Sequence, residues 1–399
     1  MTRPRFMSLP PLPIKGGMHL RSPSLRTLTL TSLLLLGALT LVLALSGASE
    51  AQAGKHDGPH KKGDGLANPA AFLPPKGKIF TGASDTGQSS DYHEFRDQTG
   101  AHPAVMQSFE SWGYVPNEAL GRWLDTNTRG MLSLSTAQCW KCPDVISPQS
   151  IAEGKGDRYI VALGKALAHR RKPTYIRLMP EMNGYWNRYS AYGSDGQLRD
   201  KFHETSDFKN AWRRFVLILR GGEVKAIDKQ LKKLHMPKIT ERTAKQLQKP
   251  KVAFAWVPQT TGSPDVKGNA PKNYFPGWDY VDWVGADVYG KYPNIAGVNS
   301  LYKQFSKRPF LIGEWSSWDV DDPKFVKQLF GWIEDHHRAR MSVYYQGFGE
   351  GADNPYELGD YPRSTEVLRH ILNASKYAPF APENEHKKKK GHRGNGGKQ

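Results

Sequence analysis

Cysteine is nearly absent: the 399-residue chain has two, Cys139 and Cys142. That excludes a disulfide-built scaffold, and a single C-x-x-C lacks the second half of a zinc site. Long apolar runs are equally scarce. Only Leu28 to Leu45 approaches the length of a bilayer crossing, and mean hydropathy is −0.61, which excludes a polytopic membrane protein. No glycine-rich phosphate turn follows the first strand-like run, which weakens a doubly wound nucleotide-binding sheet. Acidic residues are the last deficit: 38 Asp+Glu face 56 Lys+Arg, a formal charge of +18.

What is present is globular, with 38% hydrophobic and 11% aromatic residues. The excess charge sits in three stretches. Residues 1–62 hold eight Lys/Arg and two acids, residues 223–251 nine and three, and residues 386–399 six and none. Each contributes +6, so together they carry the whole excess and leave the remainder close to neutral. A nucleic-acid face on the main domain therefore loses its support, and the basic ends suit an anionic envelope or plain solvent.

Arg3, Arg5, Lys15, Arg21 and Arg26 precede the Leu28 to Leu45 run, and Ala51 and Ala53 follow as an A-x-A site. Residues 1–53 thus read as a secretory signal with a mature start near Gly54, the competing reading being an uncleaved anchor. Either one puts the chain outside the cytoplasm, secreted or associated with the envelope. In that setting Cys139 and Cys142 read as a small loop disulfide. A redox role would want a helix N-terminus after a strand, and Pro143 and Pro148 follow instead.

Residues 54–76 read as a flexible leader and 379–399 as a disordered basic tail, leaving 77–378 as the folded domain. Eight β-prone runs recur there: Lys78 to Gly82, Ala104 to Phe109, Gly130 to Ser135, Thr174 to Leu178, Val252 to Trp256, Val281 to Asp287, Phe310 to Gly313 and Met341 to Tyr345. Between them lie helical patterns at Asn117 to Asp125, Asp157 to Arg171, Asp207 to Arg220, Val298 to Ser306, Pro323 to Arg340 and Arg363 to Asn373. Strands alternating with helices predict an α/β fold, a (β/α)8 TIM barrel. The stretch 223–251 is an insertion, and its Val224, Ile227, Leu231, Leu234 spacing predicts a basic helix.

Function in such barrels collects at the C-terminal ends of the strands. The acids expected there are Glu110, Glu181, Asp287 and Glu314. Glu181 follows an apolar strand carrying Arg177 and is flanked by Asn183 and Trp186. Glu314 ends another apolar strand beside Trp315. Two acids on opposite walls of one mouth suit a proton donor paired with an ionised nucleophile, and interleaved aromatics suit sugar rings. The competing reading pairs these acids structurally with Arg177. Trp112, Trp256, Trp315 and Tyr345 are candidate stacking platforms, while His336 and His337 read as a solvated helix face. His386 and His392 in the tail form no coherent metal site.

The run Arg177-Leu-Met-Pro-Glu181-Met-Asn-Gly-Tyr-Trp186 resembles the strand-four signature of glycoside hydrolase family 26, the β-mannanase-like retaining glycosidases of clan A. Leu311-Ile-Gly-Glu314-Trp resembles its strand-seven motif. Phe254 to Pro258, Tyr274 to Gly277 and Val281 to Tyr289 are similar to its strand-five and strand-six segments. The resemblance spans about residues 78–375. It implies Glu181 as general acid/base, Glu314 as nucleophile, Tyr289 as a hydrogen-bond donor to the nucleophile, Arg177 as a buttress and Trp186 as a sugar-subsite wall. Asn183, Trp256 and Trp315 complete the expected substrate-binding set. Two positions depart from the pattern: Pro180 stands where the family places His before the acid/base, and Gln259 where it tends to have Asn.

These readings converge on an exported retaining hydrolase, endo-β-1,4-mannanase-like, that cleaves a β-linked polysaccharide, β-mannan first, as a monomer without cofactor. The alternative is a catalytically weak carbohydrate-binding barrel of the envelope. The retaining assignment expects the two carboxyls about 5–5.5 Å apart and the higher pKa on Glu181.

Overall fold

A computed structural model describes residues 71–85, 87, 90–138, 142–240, 244–347 and 354–385. The Leu28 to Leu45 run, most of the leader, Cys139 and the tail from residue 386, with His386 and His392, lie outside these residues. Cys142 is disulfide-bonded. Among the described residues no helix is long and apolar enough to cross a membrane.

Eight parallel strands close into a barrel: β1 (Ile79–Ser84), β2 (Val105–Ser111), β3 (Arg129–Ser135), β4 (Thr174–Leu178), β5 (Val252–Trp256), β6 (Trp283–Tyr289), β7 (Phe310–Ser316) and β8 (Ala339–Tyr344). They neighbour one another in chain order, and β8 returns to pair with β1 from Met341 opposite Phe80 to Tyr344 opposite Ala83. The outer helices are α1 (Ser90–Thr99), α2 (Asn117–Asp125), α3 (Asp157–Arg170), α4 (Thr205–Arg220), α5 (Ile295–Gln304), α6 (Pro323–Asp335) and α7 (Pro362–Leu372). Between β5 and β6 the chain makes three short 3₁₀ turns instead of a helix.

Strand alternation divides the core in two. Phe80, Met131, Tyr175, Ala253, Ala255, Trp283, Leu311, Met341 and Val343 fill the barrel interior. Ile176, Phe254, Trp256, Val284, Phe310 and Trp315 face outward against the helices. Close approach of the layers depends on small residues. A Cβ at Gly130 would lie 2.0 Å from the Trp123 ring of α2, so only glycine lets that indole lie flat on β3.

The helix α1 escaped the sequence reading because only Tyr92, Phe95 and Thr99 of its ten residues are buried, too few for a periodic signal. The helix expected to run to Arg340 stops at Asp335. His336 leaves helical geometry, stacks on Trp332 at 4.2 Å and hydrogen-bonds Asn299 through Nε2 at 3.2 Å. Ala339 then opens β8 opposite Phe310. His336 is therefore half-buried packing, and only His337 is solvated.

The folded unit extends past both expected boundaries. The Phe72 carbonyl, in the expected leader, accepts from Arg129 Nη1 and from the Tyr175 hydroxyl, each at 2.6 Å. The Ala71 carbonyl accepts from Trp283 Nε1 at 2.6 Å. In the expected tail, Glu383 chelates Arg129 through Nε at 2.7 Å and Nη2 at 2.5 Å, and Phe380 packs on His102 at 3.9 Å. Buried donors at the barrel floor need partners, and both chain ends supply them.

The insertion leaves α4 at Gly221, whose φ is +70 and whose Cβ would lie 1.8 Å from the Gln248 carbonyl oxygen. Gly222–Glu223 pairs with Gln246–Leu247, and a helix at Val224–Lys233 buries Ile227 and Leu231. Arg214 of α4 and Asp157 of α3, both fully buried, form a bidentate pair at 2.7 and 2.6 Å. Arg214 also donates to the Pro237 carbonyl at 2.7 Å, which fixes the insertion to the barrel's flank.

Truncation after Glu385 is expected to leave thermal stability unchanged, whereas truncation after Ala378 strands Arg129 without its carboxylate. That loss is expected to cost about 3 kcal/mol, the low end for breaking a buried pair because Glu383 is partly exposed. Melting temperatures of the two truncations check it.

Candidate active site

The strand ends deliver four charged groups to one point. Arg177 shares the inward parity of Tyr175 on β4, and Asp287 and Tyr289 share that of Trp283 on β6. Glu314 reaches the interior by a different device. Along β7, Ile312 pairs with Ala286, but the next pair is Glu314 with Asp287, so Gly313 is bulged out of register. Simple alternation from inward Leu311 would have sent Trp315 inward. The bulge turns Glu314 in and Trp315 out. Gly313 permits this because a Cβ there would lie 2.8 Å from Asp287 Oδ1 and 3.3 Å from Arg177 Cζ.

Arg177, with no exposed side-chain surface, donates through Nη1 to Glu314 Oε1 and through Nη2 to Asp287 Oδ2. Glu314 Oε1 also accepts from Gln107 Nε2 at 3.2 Å, and Oε2 accepts from the Tyr289 hydroxyl at 2.6 Å. Glu181 stands across from them on the turn after β4, where Met179 and Glu181 have φ of 41 and 51. Its amide donates to the Val257 carbonyl at 2.8 Å, so the turn is fastened to the end of β5. Glu181, Asp287 and Glu314 offer carboxylate oxygens that all lie within 4.8 Å of one another.

Electrostatics follows from the count. One guanidinium faces three carboxylates in a water-poor site, so full ionisation is unfavourable and protons are retained. Burial, then the charge of Glu314, pushes the Glu181 carboxyl up, with Arg177 and the Trp186 indole opposing. Burial likewise holds Asp287 well above the carboxylate range, against the pull of Arg177. Three such acids could in principle hold a cation, but Arg177 already donates to two of them, and the cluster is an ion-pair network.

Glu181 is clasped at both oxygens. Trp186 Nε1 donates to Oε2 at 2.9 Å and Gln259 Nε2 donates to Oε1. The indole can lie there because a Cβ at Gly184 would meet its ring at 2.5 Å. Asn183 is not on the substrate side: it is fully buried, accepts from the Gln259 amide at 2.8 Å and donates to the Gln259 and Thr261 carbonyls at 3.1 Å. Its role is to hold the segment that presents Gln259.

Three expected platforms are core residues. Trp256 is fully buried at 5.1 Å from Phe275 and 4.7 Å from Phe305, on the outward parity of β5. Trp315 packs outward on Phe330 at 5.1 Å and Tyr344 at 5.0 Å. Trp112 lies against Tyr159 at 4.8 Å. Tyr345 does stand at the mouth, edge-on to Tyr289 at 6.2 Å and Tyr356 at 4.8 Å. Trp318, edge-on to Tyr289 at 5.2 Å, extends this aromatic wall and was missed although it closes the Trp315-Ser-Ser-Trp318 run. Gln107 was missed as a site residue because an amide carries no signal by composition, and Gln259, marked only as a departure from the family pattern, was not expected to hold Glu181. Glu110 is half-buried at the rim near Arg122 and Asp85, and burial raises its carboxyl.

The family model described as Glycosyl hydrolase family 26 matches residues 157–333. Among solved structures, GH26A from a Muricauda species is 18% identical with a TM-score of 0.48, covering 75% of this chain and 91% of that one. Bacillus subtilis mannanase man26 is 14% identical with a TM-score of 0.49, covering 80% and 92%. A GH26 β-mannanase from Bacteroides ovatus is 14% identical with a TM-score of 0.47, covering 77% and 91%. No curated protein matches.

Replacing Gln259 by Ala removes a donor that favours the charged form of Glu181. The Glu181 titration midpoint is expected to rise further, because a hydrogen bond to the charged form is lost. Trp186 fluorescence against pH reads it, and an unchanged midpoint would show that the amide does not hold the acid.

Proposed function

We propose that the chain, which the glycosyl hydrolase family 26 model matches over residues 157–333, works as a retaining hydrolase of β-linked polysaccharide, β-mannan first. The observation that carries the proposal is the facing of Glu181 and Glu314 with oxygens within 4.8 Å, the short spacing of a double displacement and not the roughly 6.5–9.5 Å that an inverting pair leaves for its water.

In this reading Glu314 is the nucleophile. Arg177, Gln107 and Tyr289 aim three donors at its oxygens and fix its rotamer, so the carboxylate is held in place before substrate arrives. Glu181 is the acid/base. Its raised affinity for a proton lets it protonate the glycosidic oxygen while Glu314 attacks the anomeric carbon and forms a glycosyl ester. Departure of the leaving sugar admits a water. Glu181, now ionised, takes that water's proton as the ester is cleaved, and the anomeric configuration is restored.

The resting clasp on Glu181 adds a condition. A carboxyl accepting from both Trp186 and Gln259 must give up one contact before it can donate to substrate. The Gln259 amide, on a flexible side chain, is the one expected to yield. Pro180 offers no side-chain donor where the family has His, which favours a second reading, a barrel that binds glycans with little turnover. Export through residues 1–53 belongs to the same proposal and rests on the sequence pattern alone.

A double comparison tests the roles. Glu314→Gln is expected to abolish release of reducing sugar from mannan, by about 10³-fold or more. Glu181→Ala is expected to lose mannan hydrolysis yet retain cleavage of an aryl β-glycoside whose leaving group needs no proton, with azide restoring turnover as the β-glycosyl azide. An inverted product or equal losses on both substrates would exclude these assignments. Binding without hydrolysis by the unmutated chain would establish the second reading.

A further inference from the structure

The insertion between α4 and β5 carries a charge pattern that the catalytic site does not use. Eight of its lysines are exposed: Lys225, Lys229, Lys232, Lys233, Lys238, Lys245, Lys249 and Lys251. None of the ion pairs among the described residues includes them. On the Val224–Lys233 helix, a turn of 100° per residue puts Lys225, Lys229, Lys232 and Lys233 along one side, spanning about 12 Å. Ile227 and Leu231 point the other way and are fully buried. Asp228, at the edge of the lysine side, is engaged as acceptor of the Ile239 amide at 2.8 Å.

Like charges at such spacing repel, and an isolated helix would be weakened by them. Here the platform is braced. Arg214 binds the Pro237 carbonyl at 2.7 Å, and the Thr240 amide donates to Asp157 Oδ2 at 2.8 Å. The paired Gly222–Glu223 and Gln246–Leu247 close its base. The self-repulsion is thus carried by the fold, and with no ion pair on these lysines among the described residues a positive surface remains on the barrel's flank.

We propose that this lysine face is a non-catalytic docking surface for an anionic polysaccharide, one bearing carboxylates along its backbone. Residues 223–251 contain no Phe, Tyr or Trp, so bases have nothing to stack on. Its cations among the described residues are lysines, point charges that suit spaced anions better than the bidentate forks that read phosphate and base edges. None of the large apolar side chains exposed among the described residues falls within it, so it has no wedge for a bilayer. The choice of glycan over other polyanions rests on the hydrolase reading: docking a charged wall polymer would hold the mouth near neutral chains embedded in it.

The test uses the full chain and immobilised polygalacturonate, with neutral dextran, duplex DNA and phosphatidylglycerol vesicles in parallel. Lys225, Lys229, Lys232 and Lys233→Gln together are expected to weaken polygalacturonate binding about tenfold at low salt, the loss that four exposed ion pairs of ordinary strength amount to. High salt should bring both proteins to the same weak binding. Cleavage of a neutral mannooligosaccharide should be unchanged, and failure of that cleavage in the unmutated chain would strike the hydrolase reading while leaving the binding arms readable. If the quadruple variant does not fold, Lys245, Lys249 and Lys251→Gln is the substitute, with the same loss expected. Unchanged binding, loss only on Lys387 to Lys390→Gln, or tighter binding of DNA or vesicles than of polygalacturonate would overturn the proposal.

Discussion

The mouth of the barrel is organised by a shortage of positive charge. Arg177 lies wholly inside the protein and is the shared partner of Glu314 and Asp287, with Glu181 close by. A guanidinium is the suitable cation because its planar fork serves two acceptors at once and does not lose its proton. With one unit of positive charge for three acids, the site cannot be fully ionised. The buried setting of Glu181 and Asp287 favours protonation there, against the pull of Arg177 and, at Glu181, of the Trp186 indole.

The barrel and the two glutamates were legible in the sequence because strands carry a period of two and because acids directly after apolar runs are conspicuous. Parity alone would also have excluded Trp256. Ala253, Ala255 and Val257 fill the interior, so Trp256 faces the helices. Trp315 could not be excluded in that way. Its orientation depends on the slip at Gly313, a backbone irregularity that inverts facing from that residue onward and leaves no pattern in composition. Gln107, and the contact that Gln259 makes from its marked position, were hidden for another reason. Their value lies in which oxygen each amide meets, and that is decided by strands and turns remote in sequence.

The ends of the domain were misjudged by the same kind of error. Gly, Pro, Lys and His compose both flanks, and composition of that kind normally lacks the apolar surface needed to pack. The parts that dock are the apolar ends of those flanks, where Ala71, Phe72 and Ala381 lie against the core, and main-chain carbonyls add to them. Ala71, Phe72 and Pro75 are bound through backbone oxygens, and Glu383 through a carboxylate, to Trp283, Arg129, Tyr175 and Arg340, which the barrel floor would otherwise leave unsatisfied. A flank that looks dispensable by overall composition can be retained for its peptide groups and a few apolar side chains.

The floor contacts also bear on chain topology. Phe72 and Glu383 meet on one guanidinium, that of Arg129. The two termini of the folded unit are therefore adjacent, and the covalent order of the strands is one of several that the same barrel could accept. A short link from Glu385 to Ala71 would close the polypeptide into a ring without crossing the mouth. New ends could then be cut into a loop elsewhere, and the protein would be a natural host for permutation or for insertion into another chain, with the catalytic rim left intact.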